Sequence, residues 1–288
     1  MTGSSPQLRR LGAELRRLRE AAGLTQTQVG DAIGRRHTTM VNWEHGNTKI
    51  SETDLVRLLA ELRAPAEVRK GLEQLRAESR HGAGQWAVYG LPEWLRPLVS
   101  FEEDASEIRT FEPVLVPGLL QTEDYARAIH DAGRHKVAPE FVDRWVQARM
   151  QRQQRLTGPN PLHLHAIIAE ATLRLAVGSP EVLADQLDHL LDQSKSANIT
   201  IQVLTATHDG YGGIATNFTL LHFANPEIDP PMCYFDGPLG GHMISDAGDV
   251  ATMDGMFGDL RRMALAPGES REMLARVLHE LREENDHG

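Results

Sequence analysis

The first 80 residues read as a series of short amphipathic helices that are separated by single glycines. Leu8, Leu11, Leu15 and Leu18 recur at three- and four-residue spacing, which predicts a first helix that stops at Gly23. Apolar stripes of the same kind continue through the rest of this segment. We therefore expect it to form an all-α domain of five helices.

Two of these helices begin with the same capping signal. Thr25 and Gln28 have the spacing of a capping box, in which each side chain bonds the backbone amide of the other residue. Ser51 and Asp54 repeat that spacing, and apolar residues beside both pairs can form a hydrophobic staple. The pattern predicts where the second and fourth helices start. The third and fifth helices are predicted at residues 38–44 and 65–79.

Short helices that are joined by a glycine-containing turn are typical of a helix-turn-helix motif when the second helix presents small polar residues. Residues 11–62 resemble the Cro/repressor type of this motif, as found in Xre-family regulators. The resemblance implies a DNA-binding domain whose recognition helix, residues 37–45, enters the major groove. A helical packing domain without a DNA role is the alternative. The residues that carry the resemblance are Gly23, Leu24, Thr25, Gln26, Val29, Ile33, Gly34, Met40, Trp43, Glu44 and Gly46.

The charge of the chain is divided unevenly. The net charge is −10, yet the first 80 residues carry 14 Lys and Arg against 10 Asp and Glu, or +4. The remainder therefore carries −14. A basic small domain fits a nucleic-acid partner, whereas the acidic remainder is not expected to add nonspecific DNA binding.

The resemblance assigns base contacts to the start of the recognition helix. There His37, Thr38, Val41 and Asn42 are expected to face base edges. The Asn42 amide can donate and accept at once and so match adenine, and Val41 can touch a thymine methyl. His37 and Thr38 can contact either a base or a phosphate.

Five further residues are predicted to contact phosphates. Gln26 resembles the family residue that grips a phosphate at the start of helix two, and Thr27 assists it. Arg35, Arg36 and Lys49 flank the recognition helix. Contacts of this kind position a protein on DNA without reading its sequence.

Three residues of the motif are interpreted as structural. Arg19 and Glu44 resemble a pair that joins helices one and three in some relatives, and Trp43 is expected in the core. Many relatives have a small or apolar residue followed by Ser or Thr at the place where this sequence has Arg35-Arg36-His37. Because of this difference, the sequence does not predict which residue caps the third helix.

The predicted fold class is α+β overall, with the helix-turn-helix domain at residues 1–80, a linker at 81–92, and a mixed α/β regulatory domain at 93–288. The linker is placed where helical periodicity is lost, and strands and helices alternate beyond it. Strands are predicted at residues 108–116, 162–168, 199–204, 218–223 and 232–235. Helices are predicted at residues 117–132, 139–156, 180–196, 247–266 and 267–284.

The second domain resembles the C-terminal domain of actinobacterial, antitoxin-like regulators of the Xre type, the WhiJ-like group. Membership implies a transcriptional regulator, often encoded beside a small partner protein, and it implies no particular ligand. The matching residues are Ser106–Pro113, Val116–Ala126, Arg149, Gln153, Arg155, Glu170, Ala171 and Asn198–Leu204.

We predict no catalytic activity, no metal and no cofactor. His163 and His165 lie two apart on a predicted strand and point the same way, yet the sequence places no third ligand beside them. Cys233 falls in a predicted buried strand. His208, Asp209, His222, Asp236 and His242 accompany no nucleophile motif, and the glycines of 210–213 and 237–241 are interpreted as hairpin turns. An enzyme that its DNA-binding domain localises is the alternative.

Arg144, Arg149, Arg152 and Arg155 form a basic stripe along the helix predicted at 139–156. A solvated face is one interpretation, and docking of an anionic partner or ligand is the other. A small molecule would bind between the sheet and the helices of this domain.

We expect a cytoplasmic regulator, because the chain has a single cysteine, no apolar leader and no membrane-spanning segment. A homodimer is expected to bind a palindromic operator in double-stranded DNA, with half-sites about 34 Å apart. The last two helices are candidates for the dimer contact. The alternative is an antitoxin-like protein that mainly binds a small partner protein and uses DNA binding for autoregulation.

Overall fold

The computed structural model describes residues 6–132, 138–206, 216–227, 229–237 and 240–286. These residues form two compact units that are not contiguous in sequence. The first unit comprises the chain up to Val88, Leu95–Asp104 and Ala224–Pro230. The second unit comprises Tyr89–Trp94, Ala105–Phe223 and the chain from Pro231.

Helices make up the first unit, and their apolar stripes meet in one core. Leu11, Leu15, Val29, Met40 and Leu58 are all buried there, together with Trp43. Capping and periodicity thus place the first four of these helices as the sequence predicts. The helices are α1 (Pro6–Ala21), α2 (Gln26–Ala32), α3 (His37–Glu44), α4 (Glu52–Glu61), α5 (Ala66–Ala87) and α6 (Arg96–Asp104).

The fifth helix is longer than the sequence predicts. It continues into the predicted linker as far as Ala87, although glycines in a helix interior each cost about 1 kcal/mol relative to alanine. Trp86 explains the extension, because it is buried and its indole Nε1 donates to Glu103 Oε1 of α6 at 2.8 Å. Helix α6 itself is not predicted from the sequence.

The second unit is built on a six-stranded mixed sheet of order β3-β2-β1-β4-β5-β6. The first three strands are parallel, and β4, β5 and β6 add to the other side of β1 in antiparallel pairs. This confirms the predicted fold class. The strands are β1 (Glu107–Glu112), β2 (His163–Ala169), β3 (Ile199–Leu204), β4 (Phe218–His222), β5 (Met232–Phe235) and the unpredicted β6 (His242–Ile244).

Helices pack on this sheet and on one another. The helix predicted at 117–132 is interrupted, since a 3₁₀ turn at Gly118–Leu120 precedes a separate helix that starts at Glu123. The break follows from Gln121, whose side-chain Nε2 donates to Val116 O at 2.6 Å and holds the loop. In the part of the chain described, no helix is long and apolar enough to cross a bilayer. The helices are α7 (Glu123–Ala132), α8 (Pro139–Gln153), α9 (Pro180–Gln193), α10 (Ala247–Met263) and α11 (Pro267–Asp286).

Candidate nucleic-acid interface

Local sequence signals set the geometry of α2 and its turn. Gln28 N donates to Thr25 Oγ1 at 3.2 Å and Thr25 N donates to Gln28 Oε1 at 2.8 Å, which confirms the predicted capping box. After α2, Gly34 adopts φ 71°, a left-handed conformation that favours glycine. Arg35 N then donates to Gly30 O at 2.7 Å and closes the turn into α3.

Two buried glycines allow the backbone to approach closely, one between α1 and α3 and the other between α2 and the turn that follows it. A Cβ on Gly12 of α1 would lie 2.5 Å from Trp43 O at the end of α3. A Cβ on Gly30 would lie 2.8 Å from Arg35 O. Neither role is predicted from the sequence, although a glycine inside an amphipathic helix pattern is the available signal for a packing site.

A buried ion pair joins α1 to α3. Arg19 Nε donates to Glu44 Oε1 at 2.6 Å, and Arg19 Nη2 donates to Glu44 Oε2 at 3.0 Å. The hydrogen bonds from Arg19 to Glu44 raise the pKa of the guanidinium above its usual value, against the effect of burial. Arg19 Nη1 also donates to Leu24 O at 2.9 Å, ahead of α2. The predicted partners are thus in contact, and the charge pair is almost fully desolvated, with side-chain exposures of 10% and 1%.

The Gln26 side chain extends this network, since its Nε2 donates to Glu44 Oε2 at 2.9 Å. We call Arg19, Gln26 and Glu44 the brace. Because the brace uses one amide hydrogen of Gln26, the predicted phosphate contact of this residue falls to its remaining N–H groups. The neighbouring Thr27 is exposed.

The face of α3 that the brace supports is polar and accessible. His37 and Thr38 are exposed, and Val41 and Asn42 are partly exposed. No side chain of the described residues caps α3, whose N-cap residue is Arg36. The first amides of the helix are thereby left for other acceptors, of which a phosphate is the favoured kind.

Arg35 has a partner of its own within the first unit. Its Nε and Nη2 donate to Asp54 Oδ1 and Oδ2 at 3.0 and 2.9 Å. Asp54 N donates to Ser51 Oγ at 3.0 Å, so the serine cap of α4 is present. The predicted second capping box is only half formed, because the short Asp54 side chain binds Arg35 and the Ser51 hydroxyl instead of a backbone amide. Arg35 therefore connects the turn to α4, whereas Arg36 and Lys49 are exposed.

The two histidines of β2 have different surroundings. His163 is exposed, and His165 Nε2 lies 2.7 Å from Gln202 Oε1, with its ring 5.1 Å from that of Phe257. Across the described ranges, no three His, Cys, Asp or Glu side chains are grouped as metal ligands. Burial raises the pKa of the Cys233 thiol to about 12. His208, Asp209 and the glycines at 210–213 lie outside the described residues, as do residues 238 and 239 of the second glycine stretch.

Two family models match different parts of the chain. A model described as "Helix-turn-helix domain" matches residues 10–84, which supports a DNA-binding role. A second model, described as "Domain of unknown function (DUF5753)", matches residues 95–276. No curated protein matches the chain. The chain therefore combines a helix-turn-helix domain with a C-terminal domain of the DUF5753 family, to which it belongs.

Proposed function

We propose that the protein is a sequence-specific transcriptional regulator that places α3 in the major groove of double-stranded DNA. The accessible polar face of α3, held by the brace, carries this proposal. Rigid presentation matters because a base contact discriminates only when the side chain meets the base edge in a fixed geometry. The basic balance of the first 80 residues supports it, since phosphates attract a local positive field.

Within this proposal, different residues position and read the DNA. Asn42 reads adenine, Val41 contacts a thymine methyl, and His37 and Thr38 contact bases or phosphates. The phosphate contacts come from side chains around the motif and from the first amides of α3, which no side chain of the described residues caps. They are Gln26, Thr27, Arg35, Arg36 and Lys49. Arg35 also positions the turn, because its guanidinium is paired with Asp54.

We further propose that the protein acts in the cytoplasm as a homodimer of the Xre-type, WhiJ-like group. Its second unit modulates DNA binding through a ligand or partner. A dimer is favoured because one helix-turn-helix buries too little DNA surface for strong selectivity. Two copies related by a twofold axis reach half-sites about 34 Å apart on one side of the duplex.

Selection of bound duplexes from a random library tests the proposal. We expect a palindromic consensus, and sedimentation of the complex should give two protein chains for each duplex. The control is selection with the brace variant Glu44→Ala, which should enrich no consensus because α3 loses its support. Enrichment of no sequence by the wild-type chain would contradict the proposal, and a single chain on an asymmetric site would contradict the dimer.

Removing one phosphate contact should change the salt dependence of binding. We expect Arg36→Ala to reduce the slope of log K against log salt by about 0.9, because one fewer counterion site is neutralised. The loss should be uniform across sequences, since a phosphate contact carries no base information. Fluorescence anisotropy of a labelled site between low and moderate salt measures it. Arg271→Ala, an exposed arginine of α11, is the matched control and should leave the slope unchanged.

A further inference from the structure

Polar side chains lie at the carboxyl ends of β1 and β5, on the sheet face opposite α10. Phe111 and Cys233 belong to the apolar core that includes residues of α10. Side chains alternate along a strand, so Glu112 and Tyr234, which follow them, point to the other face. Asp236 follows the end of β5, two residues beyond Tyr234.

The register of the sheet places these side chains next to one another. Thr219 of β4 pairs with Thr110 of β1 on one side and with Tyr234 of β5 on the other. Glu112 and Asp236 each lie two residues beyond this row, at the same end of the sheet. The two carboxyl groups also interact electrostatically. Burial raises the pKa of Glu112, and the charge of Asp236 raises it further.

Two arginines of α8 interact electrostatically with Asp236. Burial raises the pKa of Asp236, and the charges of Arg149 and Arg152 oppose that rise. A Cβ on Gly118 would lie 3.8 Å from Arg149 Nε and 3.9 Å from Arg152 Nη2, so both guanidiniums lie beside the loop that follows β1. Arg152 is only 9% exposed. The interpretation as a solvated basic face is therefore wrong for Arg152.

Hydrogen bonds attach α8, which carries the two arginines, to the loop of residues 118–121. Arg149 Nη1 donates to Gln121 Oε1 at 2.7 Å. Gln153 Nε2 donates to Gln121 O at 2.6 Å and to Gly118 O at 3.3 Å. The loop from residue 118 to 121 is thereby fixed on α8 without a ligand. Because this loop and α8 are already joined, less conformational entropy is lost when a ligand binds.

Two groups of the cluster have unused hydrogen-bonding capacity. Tyr234 is 2% exposed, and its hydroxyl has no hydrogen-bond partner among the described residues. Buried hydroxyls are normally paired because an unpaired one is costly. Of the described side chains, Thr110 alone bonds the Glu112 carboxyl, at 3.2 Å. Burial raises the pKa of Glu112 to about 8, so this carboxyl is mostly protonated at pH 7 and can donate.

The position of the cluster in the topology also favours ligand binding. The chain adds β2 and β3 on one side of β1 and adds β4, β5 and β6 on the other. The carboxyl ends of the parallel strands β1, β2 and β3 lie at one edge of the sheet, and β4 is antiparallel to β1. Open sheets with parallel strands bind their ligands outside the carboxyl ends of those strands.

We propose that the β1 cluster, defined as Glu112, Arg149, Arg152, Tyr234 and Asp236, binds a small organic molecule that carries an oxyanion and hydroxyl groups. The two guanidiniums bind the oxyanion through charge-assisted hydrogen bonds. Glu112, Tyr234 and Asp236 bond the hydroxyl groups, and Tyr234 thereby gains the partner that it lacks. The site deepens the proposed regulation by the second unit and rests on it for its biological role, whereas the binding itself is measured without DNA.

Calorimetric titration of the full chain with a matched set of probes tests the site. Glycerol 3-phosphate and glycerate combine an oxyanion with hydroxyl groups, inorganic phosphate and acetate supply the anion alone, and glycerol supplies hydroxyls alone. We expect one or both combined probes to bind at least about tenfold tighter than any partial probe. Comparison of the two combined probes distinguishes phosphate from carboxylate. If no combined probe saturates by about 10 mM, or if it binds no tighter than its anion alone, the proposal is wrong.

Variants locate the binding within the chain. Tyr234→Phe removes only a hydroxyl, and it should weaken the combined probe about tenfold while raising the Tm of the free protein by about 2–4 °C. Arg149→Ala should abolish binding, whereas Arg144→Ala, an exposed arginine of the same helix, should bind as wild type. Wild-type affinity in Tyr234→Phe, or equal losses in both arginine variants, would overturn the proposal. Because duplex selection is measured separately, ligand binding can fail while the DNA-binding proposal stands.

Discussion

Replacing Glu44 with alanine is expected to lower the free energy of unfolding of the first unit by about 3–5 kcal/mol, because it leaves Arg19 buried without its countercharge. The Glu44 side chain is 1% exposed and that of Arg19 is 10% exposed, so solvent does not replace the lost contacts. Gln26 loses the acceptor of its amide as well. The variant should therefore also lose DNA binding, since three helices share this contact.

Hydrogen exchange of the α1 and α3 amides measures the loss, and the α9 amides of the second unit provide an internal reference. The matched control is Glu14→Ala, which removes an ion pair of α1 with side-chain exposures of 60% and 27%. Pairs of this kind contribute about 0–1 kcal/mol. The double variant Arg19→Ala with Glu44→Ala should cost less than the sum of the single losses. Strict additivity, or equal effects of Glu44→Ala and Glu14→Ala, would show that the brace does not hold the helices together.

Gly12→Ala is expected to destabilise the first unit by about 1–3 kcal/mol, although alanine is the better helix former. The added methyl would lie 2.5 Å from Trp43 O and 2.6 Å from Glu44 O. Both atoms belong to the backbone, so the contact is relieved only if α1 moves away from α3. That movement would also pull Arg19 from Glu44.

Gly71→Ala provides a control of opposite sign. Gly71 lies in α5, is exposed, and has no atom within 4 Å of the position that an added methyl group would take. Alanine there should stabilise the unit by about 0.5–1 kcal/mol through helix propensity alone. Hydrogen exchange in α1 and α5 compares the two variants. Stabilisation by Gly12→Ala would rule out the close approach of α1 to α3.

The starts of α2 and α4 can be predicted from the sequence because capping is local. Thr25 and Gln28 are three residues apart, and the geometry of one helical turn decides their contact. Glu44 and Arg19 are 25 residues apart, and resemblance to a family, not spacing, pairs them. The contacts of Gly12 depend on how two helices cross, which a single sequence does not encode locally.

The second unit shows the same distinction between local and distant contacts. The period of apolar residues predicts most of its strands and helices. The β1 cluster depends on strand order and register, because Glu112 and Asp236 are far apart in sequence and meet only through β4. Arg152 likewise resembles any solvated arginine in sequence, and only the packing of α8 buries it.

The base preference of Asn42→Ala on the selected site tests the central claim most directly. Competition binding with every single-base substitution of the site measures it, and Asn160→Ala, an exposed asparagine of the second unit, is the matched control. We predict that Asn42→Ala loses about 1–3 kcal/mol of discrimination at one position of each half-site and keeps the preferences elsewhere. An unchanged preference profile, or an equal loss at all positions, would contradict readout of DNA by α3.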